Sequence, residues 1–135
     1  MNFDTLLYLS RQNMKDLEMT AHDMVESIQT LCVGREEGWV HVAPKNSLKP
    51  DEDRFFMSTL AVADTPGFMT IKSLGLNNRN ANLGLNSIGS LITLFDAATG
   101  LPVAIMDGDW ITAYRTAALS ALAARFMAPK NCKVA

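Results

Sequence analysis

The sequence predicts a single domain of the α+β class. Two pairs of strand-like segments, each joined by turn residues, predict antiparallel hairpins, and a long alanine-rich segment near the C-terminus predicts a helix. The chain has 135 residues, of which 48% are apolar. That length and composition predict one domain with its own core and exclude an intrinsically disordered chain.

The N-terminal part predicts a short strand followed by two helices. Residues 5–9 are largely apolar and predict the strand, and Ser10 can then cap a helix that runs through Leu17. Thr20 begins the second helix, because its hydroxyl can accept a hydrogen bond from the backbone N–H of Asp23.

The chain then changes from helical to alternating polarity. We expect the second helix to fray between Gly34 and Gly38. The segment Trp39–Val42 alternates and predicts a strand, which ends near Pro44 because proline cannot donate a hydrogen bond to a sheet. Residues 43–45 then form a loop in this interpretation.

The middle of the chain predicts a hairpin and a long loop. The strands are Phe55–Val62 and Phe68–Leu74, and Pro66-Gly67 is the turn between them. The segment Gly75–Asn86 contains five asparagines and two glycines, residues that accept left-handed backbone conformations. It therefore predicts a loop.

The last third predicts a second hairpin, a helix and a further strand. The hairpin strands are Ser87–Phe95 and Leu101–Met106. The helix covers Trp110–Ala128 and stops at Pro129. Residues 131–135 begin what the pattern predicts to be another strand.

Composition excludes several classes of function. The chain carries 12 basic and 14 acidic residues, for a net charge of -2, and no basic cluster, so we expect no nucleic-acid partner. No apolar run is long enough to cross a membrane, and the N-terminus lacks a signal-peptide pattern, so we expect a cytoplasmic protein. Only 19% of residues are charged, below the roughly 25% usual for soluble domains, which predicts an oligomer or part of a larger assembly.

Metal and disulfide sites are not predicted. Cys32 and Cys132 are isolated in sequence, and neither His22 nor His41 has a partner at metal-ligand spacing. Ordinary reduced thiols and surface or hydrogen-bonded histidines explain all four residues.

Arg115 is the one charged residue in most of the predicted C-terminal helix. Together with Thr112 and Thr116 it places a guanidinium and two hydroxyls near the start of a helix, where a carboxylate or phosphate would be stabilised. The alternative, with equal weight on spacing alone, is a structural ion pair with Asp107 or Asp109.

Two lysines are further candidates. Lys72 lies in an otherwise uncharged strand, where it is either a ligand contact or a guard of an exposed sheet edge. Lysine is common at sheet edges, so the strand pattern alone favours the guard. Lys45 follows Pro44, and an exposed loop lysine is the simplest interpretation of it.

Long segments of the chain resemble the ornithine cyclodeaminase/mu-crystallin family. The resemblance is carried by LFDAATGLPVAIMDG (94–108), ITAYRTAA (111–118) and SALAAR (120–125). Upstream landmarks agree in order: Ala43-Pro44-Lys45 is similar to the family's Pro-Pro-Arg/Lys, Met57 to its strand methionine, and Ile71-Lys72 to its Val-Lys. The resemblance covers nearly the whole chain.

The resemblance implies an architecture. Family members join a dimer-forming α+β domain, built around a curved mixed or antiparallel sheet with flanking helices, to a Rossmann domain that binds NAD(H) or NADP(H). It implies that residues 1–128 form the substrate-binding and dimerisation domain of a homodimer. Residues 129–135 would begin the Rossmann domain, so we interpret the chain as an N-terminal fragment or one piece of a split enzyme.

The resemblance also implies roles for five residues. Lys72 resembles the lysine that binds the substrate carboxylate, and Lys45 a basic residue that assists it. Arg115 resembles the arginine between the substrate carboxylate and the cofactor. Ser87 and Thr116 resemble cofactor contacts. The family's catalytic aspartate belongs to the Rossmann domain, so we expect no catalytic residue here and no turnover by this chain alone.

The implied chemistry is oxidation or reduction of a small amino or imino acid at Cα with NAD or NADP, with or without cyclodeamination. Ornithine is disfavoured, because the sequence has Phe55-Phe56 where ornithine cyclodeaminases carry a glutamate for the distal amine. Alanine dehydrogenase and ketimine reductase activities stay open. The alternative from another class is a non-catalytic, mu-crystallin-like binder of a small carboxylate, which would use the same three cations.

Overall fold

The structure, a computed structural model, describes residues 5–129, 131 and 132. Within these residues, seven strands form one sheet in the order β1-β7-β6-β5-β4-β2, with β3 also paired to β4. The β1–β7 pair is parallel and the other pairs are antiparallel. The strands are β1 (Leu7–Leu9), β2 (Val40–Val42), β3 (Asn46–Leu48), β4 (Arg54–Ala63), β5 (Phe68–Asn77), β6 (Ile88–Asp96) and β7 (Pro102–Asp107).

In the part of the chain that the structure describes, three α-helices flank this sheet, together with a 3₁₀ helix at Asn78–Leu83. They are α1 (Arg11–Asp16), α2 (Ala21–Glu37) and α3 (Gly108–Met127). The predicted α+β class with a mixed sheet is confirmed. In the described part of the chain, no helix has the length and apolar character needed to cross a bilayer.

The predicted helix starts at Ser10 and Thr20 are confirmed. Both hydroxyls accept from the backbone N–H three residues later, which completes two capping boxes. The predicted fraying at the end of α2 is wrong. The helix continues to Glu37, and Gly34 lies inside it against the Trp39 ring, which leaves no room for a Cβ. Gly38 then ends the helix in the left-handed conformation, with φ of 88°.

Both predicted hairpins are confirmed. Strands β4 and β5 pair from Arg54↔Asn77 to Ala63↔Phe68, and β6 pairs with β7. Two segments differ from expectation. Residues 75–77 extend β5 and part of the asparagine-rich segment forms the 3₁₀ helix, while Asn46–Leu48 adds the short strand β3. Main-chain hydrogen bonding to neighbouring strands explains both added strand segments: β3 pairs with β4, and the extended end of β5 pairs with β6. Local composition does not encode this pairing.

Helix α3 begins at Gly108, two residues earlier than predicted. The Asp107 carboxylate accepts from the N–H groups of Asp109 and Trp110, which caps the helix. A Cβ at position 108 would lie 2.7 Å from Ser90 Oγ, so glycine allows the helix to start in contact with β6.

The main buried cluster lies between α2 and α3. It consists of Met24, Val25, Ala118 and Leu122, with Ile28 and Trp110 packed against it. The strand predicted at 131–135, and with it the proposed start of a Rossmann domain at 129–135, lies largely outside the described residues.

Candidate functional site

A cavity of ≈ 430 Å³ lies between one face of the sheet and α3. Three basic side chains line it: Lys45, Lys72 and Arg115. The remaining lining is apolar or hydroxyl-bearing, and among the described residues it includes no acid. These other residues are Met57, Thr59, Thr70, Ile92, Leu94, Met106 and Ile111.

The sheet register explains why Lys72 faces this cavity. Lys72 pairs with Thr59 on β4 and with Ile92 on β6, and Ile92 pairs in turn with Met106 on β7. Residues opposite one another in antiparallel strands point to the same face. These four residues therefore form a continuous row on the face of the sheet that carries α3, and this row is the floor of the cavity.

Lys45 and Arg115 reach the floor from two other elements. Lys45 directly precedes β3, whose first residue pairs with Ser58, so Lys45 lies beside the Thr59 position. Arg115 lies two turns into α3, above the same floor. The three cations come from different segments, and only the sheet register and the packing of α3 bring them to one cavity.

The charge of this cluster is uncompensated within the described chain, where no carboxylate lies within 4 Å of the basic nitrogens of Lys45, Lys72 or Arg115. Burial of the Lys72 ammonium, followed by the positive charges of Arg115 and Lys45, holds the pKa of Lys72 below its ordinary value. The cavity is therefore an electropositive hollow suited to an anion.

The structure overturns the simpler interpretation of Lys72. Strand β5 lies inside the sheet, between β4 and β6, so Lys72 is not an edge guard. Its Nζ donates a long hydrogen bond, 3.5 Å, to Thr112 Oγ1. Lys45 is exposed, as expected for a loop lysine, but it also lines the cavity.

The alternative for Arg115, an ion pair with Asp107 or Asp109, is also wrong. Both carboxylates pair with Arg11 instead: Nε lies 3.6 Å from Asp107 Oδ2, and Nη2 lies 2.6 Å from Asp109 Oδ2. The aspartates closest to Arg115 in sequence are thus occupied by a residue of α1.

The two threonines near Arg115 do not converge as the sequence predicts. Thr112 faces the sheet, where it contacts Lys72 and Ser90. Thr116 is exposed, and its hydroxyl donates to the Thr112 carbonyl oxygen at 2.7 Å. The Thr116 oxygen can still accept a hydrogen bond, but its proton is already engaged.

Ser87 lies apart from the cation cluster. It directly precedes β6, and its carbonyl oxygen accepts from the Asn77 N–H at 2.8 Å. It lies five residues before Ile92, the register partner of Lys72, or about 17 Å along an extended strand. Neither Ser87 nor Thr116 lines the cavity that holds the three cations.

The two phenylalanines that disfavoured ornithine do not line the cavity either. Phe56 points to the opposite face of the sheet, where its ring lies over Gly75. Phe55 shares the face of Met57 by alternation but lies beyond the lining residues. A second ammonium group would nevertheless lack an acidic partner, because the described lining contains none.

One polar residue beside the site, Ser90, carried no signal in the sequence. Ser90 Oγ lies 3.3 Å from Thr112 Oγ1 and donates to Asp109 Oδ1 at 3.0 Å. The alternation of β6 places Ser90 on the same face as Ile92, which was the one available hint.

Comparison with known proteins agrees with this architecture. The model of the ornithine cyclodeaminase/mu-crystallin family matches residues 5–135. An alanine dehydrogenase of Archaeoglobus fulgidus is 34% identical over an alignment that covers 79% of this chain and 39% of that protein.

Solved structures give the same result. The Delta(1)-pyrroline-2-carboxylate reductase of Thermococcus litoralis, in complex with NADH and L-proline, matches with a TM-score of 0.87 and 28% identity over 93% of this chain and 39% of that one. An archaeal alanine dehydrogenase dimer with bound NAD matches with a TM-score of 0.86 and 25% identity, over 93% of this chain and 38% of that one. The chain thus spans about two-fifths of the length of these relatives. It belongs to the ornithine cyclodeaminase/mu-crystallin family.

Proposed function

We propose that this chain forms the substrate-binding part of an NAD(P)-dependent enzyme that acts on a small amino or imino acid, and that Lys45, Lys72 and Arg115 bind the substrate carboxylate. The observation that carries the proposal is the meeting of these three cations at one cavity with no carboxylate paired to them in the described chain.

A carboxylate is the anion that fits this cluster best. Three positive groups around one hollow repel each other, and one or two carboxylate oxygens between them would relieve that repulsion. The guanidinium offers a planar pair of donors, and the two ammonium groups offer point charges from other directions. Such an arrangement fixes both the position and the orientation of the acid.

The rest of the cavity favours a small, uncharged side chain. Its other lining atoms belong to apolar residues and to the hydroxyls of Thr59 and Thr70. A substrate with a second ammonium group, such as ornithine, would leave that charge without a described acidic partner, at a cost of at least about 1–3 kcal/mol. Alanine-like and proline-like acids, of the kind named for the relatives, meet no such penalty.

The residues of this chain act by binding and orientation. A nicotinamide cofactor, when bound, supplies oxidation or reduction at the substrate Cα. Fixing the carboxylate on three cations restricts the position of the attached Cα, as a transfer between Cα and the nicotinamide requires. Arg115 lines the cavity from α3, next to Thr116 in the sequence. Thr116 is exposed, and its hydroxyl oxygen can still accept a hydrogen bond. Arg115, Thr116 and Ser87 are the proposed cofactor contacts.

A homodimer is the proposed assembly. The sheet face opposite the cavity carries an open groove of ≈ 740 Å³, in which two glycines leave the sheet surface bare. Leu48, Phe56 and Leu91 are 73%, 45% and 51% exposed there. A second copy covering this face would bury these apolar side chains, and the archaeal alanine dehydrogenase relative is itself a dimer.

The test is a screen of the complete protein against amino acids and cyclic imino acids with NAD and NADP, followed through nicotinamide absorbance. We expect turnover of a small neutral substrate and none of ornithine. In the same screen Lys72→Ala should act on that substrate less efficiently. Lys49→Ala is its matched control, because Lys49 is an exposed lysine that pairs with Glu52 and does not line the cavity.

The second candidate is a carboxylate-binding protein without catalysis. It is favoured by one observation: the described cavity lining contains cations but no carboxylate or histidine that could act as a general base. Calorimetric binding of L-alanine or L-proline, lost in Lys72→Ala and unaccompanied by turnover with either cofactor, would select this candidate. Turnover would exclude it.

A further inference from the structure

We propose that Thr112 is a positioning residue for Lys72, and that it acts through a directed chain of hydrogen bonds that passes through Ser90 and ends at the Asp109 carboxylate. The proposal rests on the proposed function only for its consequence on substrate binding. The chain of hydrogen bonds itself stands on the geometry.

The direction of the chain follows from donor counting. Asp109 pairs with Arg11, and the other oxygen of its carboxylate, Oδ1, accepts from Ser90 N at 2.6 Å and from Ser90 Oγ at 3.0 Å. The single Ser90 hydroxyl proton is thereby used, so Ser90 Oγ accepts from Thr112 Oγ1 at 3.3 Å. With its own proton engaged, Thr112 presents lone pairs to the Lys72 ammonium at 3.5 Å.

The Asp109 end of this series of hydrogen bonds is held in place by several contacts. Asp109 Oδ2 accepts from Arg11 Nη2 at 2.6 Å, and the Asp109 N–H donates to Asp107 Oδ1 at 3.1 Å. Gly108 lies against Ser90 so closely that a Cβ would clash. Helix α3 therefore cannot shift along β6 without breaking several contacts, and the Thr112 hydroxyl keeps a fixed place above the sheet.

Lys72 needs such a partner because its own neighbours repel it. The charged groups that face it are Lys45, from the segment before β3, and Arg115, from α3, and both oppose its protonation. Asp109 is connected to it through Ser90 and Thr112. Within the described chain, Thr112 Oγ1 is the acceptor within hydrogen-bond distance of Nζ. It therefore both steers the flexible lysine stem and favours the charged form that a carboxylate requires.

Competitive acylation of the complete protein with acetic anhydride, read by mass spectrometry as a function of pH, tests this without any substrate. We expect the labelling midpoint of Lys72 to move to lower pH in Thr112→Val by about half a unit, and the labelling rate below the midpoint to rise about threefold, because an amine that loses an acceptor loses its proton more easily. Thr112→Ser should restore the wild-type profile.

The matched control is Thr30→Val, which removes a helix hydroxyl that bonds the Glu26 carbonyl at 2.9 Å, far from the cavity. It should leave the Lys72 profile unchanged. A Thr112→Val profile that superposes on wild type, in a protein with an unchanged circular dichroism spectrum, would overturn the proposal. A displaced profile in Thr30→Val would do the same, because the effect would then follow from any lost helix hydroxyl.

Steady-state kinetics distinguish a residue that positions Lys72 from one that only stabilises the fold. In Thr112→Val we expect KM for L-alanine or L-proline to rise severalfold with kcat little changed, and Thr112→Ser to reverse this. If the wild-type protein neither binds nor turns over these acids while the Lys72 labelling profile still shifts, the proposed function fails and the positioning role of Thr112 stands.

Discussion

The Arg11 guanidinium lies 2.6 Å from the Asp109 carboxylate, although 98 residues separate them in the chain. This contact joins α1 to the first turn of α3 and, with the longer contact to Asp107, occupies the two aspartates nearest to Arg115 in sequence. Arg115 is left to line the cavity with Lys45 and Lys72. A long-range ion pair thus determines which arginine is available for a ligand.

Replacing Arg115 should weaken the binding of both the amino acid and the cofactor. In Arg115→Ala of the complete protein we expect KM for both the amino acid and the nicotinamide cofactor to rise about ten- to a hundredfold, since a charge-assisted hydrogen bond contributes about 1.5–3 kcal/mol. Arg125→Ala is the control, because Arg125 lies on the same helix and pairs with Glu26 at the surface. Unchanged KM for both ligands would contradict the assignment.

Replacing Lys72 should affect one ligand far more than the other. We expect Lys72→Ala to raise KM for the amino acid at least tenfold and to change cofactor binding little, because Lys72 rises from the floor of the cavity, whereas Ser87 and Thr116, two of the three proposed cofactor contacts, do not line that cavity. Separate titration of each ligand by calorimetry measures this. Losses of equal size for the two ligands would argue against a carboxylate role.

Substrate binding should weaken at a lower alkaline pH than it would if Lys72 had the ordinary lysine pKa. The pKa of Lys72 is lowered by burial and by its two cationic neighbours, so the ammonium of the free protein is lost as pH rises through that lowered value. A bound carboxylate stabilises the charged form and moves the loss to higher pH. We expect kcat/KM to fall at lower pH than kcat; coincident alkaline limbs would count against this.

The same pKa has a consequence for stability, with a definite sign. The folded state disfavours the Lys72 charge relative to the unfolded state, so the unfolded chain binds more protons in the window just below the ordinary lysine pKa. This contribution destabilises the fold at neutral pH and is relieved as pH rises through the folded pKa. We expect Lys72→Met to raise the melting temperature of the complete protein at neutral pH by a few degrees and Lys49→Met not to. An unchanged or lower value for Lys72→Met would contradict it.

A charge on the open sheet face should separate the proposed dimer. We expect Leu91→Lys to convert the complete protein to monomers in light scattering after size exclusion, because two ammonium groups would be buried without partners. Leu31→Lys is the control, as Leu31 is an apolar residue of similar exposure on α2, 43% against 51%. A stable Leu91→Lys dimer would show that the subunits meet elsewhere.

Features set by neighbours in sequence were predictable. The caps at Ser10 and Thr20 depend on atoms three residues away, and the β4–β5 and β6–β7 hairpins depend on turns and alternation. The family resemblance rested on contiguous motifs, and the match over residues 5–135 confirms it.

Other features depended on distant parts of the chain. The end of α2 follows from the Trp39 ring packing on Gly34, and the place of β5 inside the sheet follows from its pairing with both β4 and β6. Local patterns could not distinguish an edge lysine from a central one. They also could not show that Arg11 would take the aspartates that compete for Arg115.

The difference between the features that the sequence predicted and those that only the folded structure showed has a physical cause. Hydrogen bonds and turns within a few residues are encoded by the order of side chains, so the elements, the composition class and the motif residues can be recognised along the chain. The electropositive cavity and the Asp109–Ser90–Thr112–Lys72 chain join segments up to several tens of residues apart. Their geometry is set by sheet register and helix packing, and these exist only once the chain has folded.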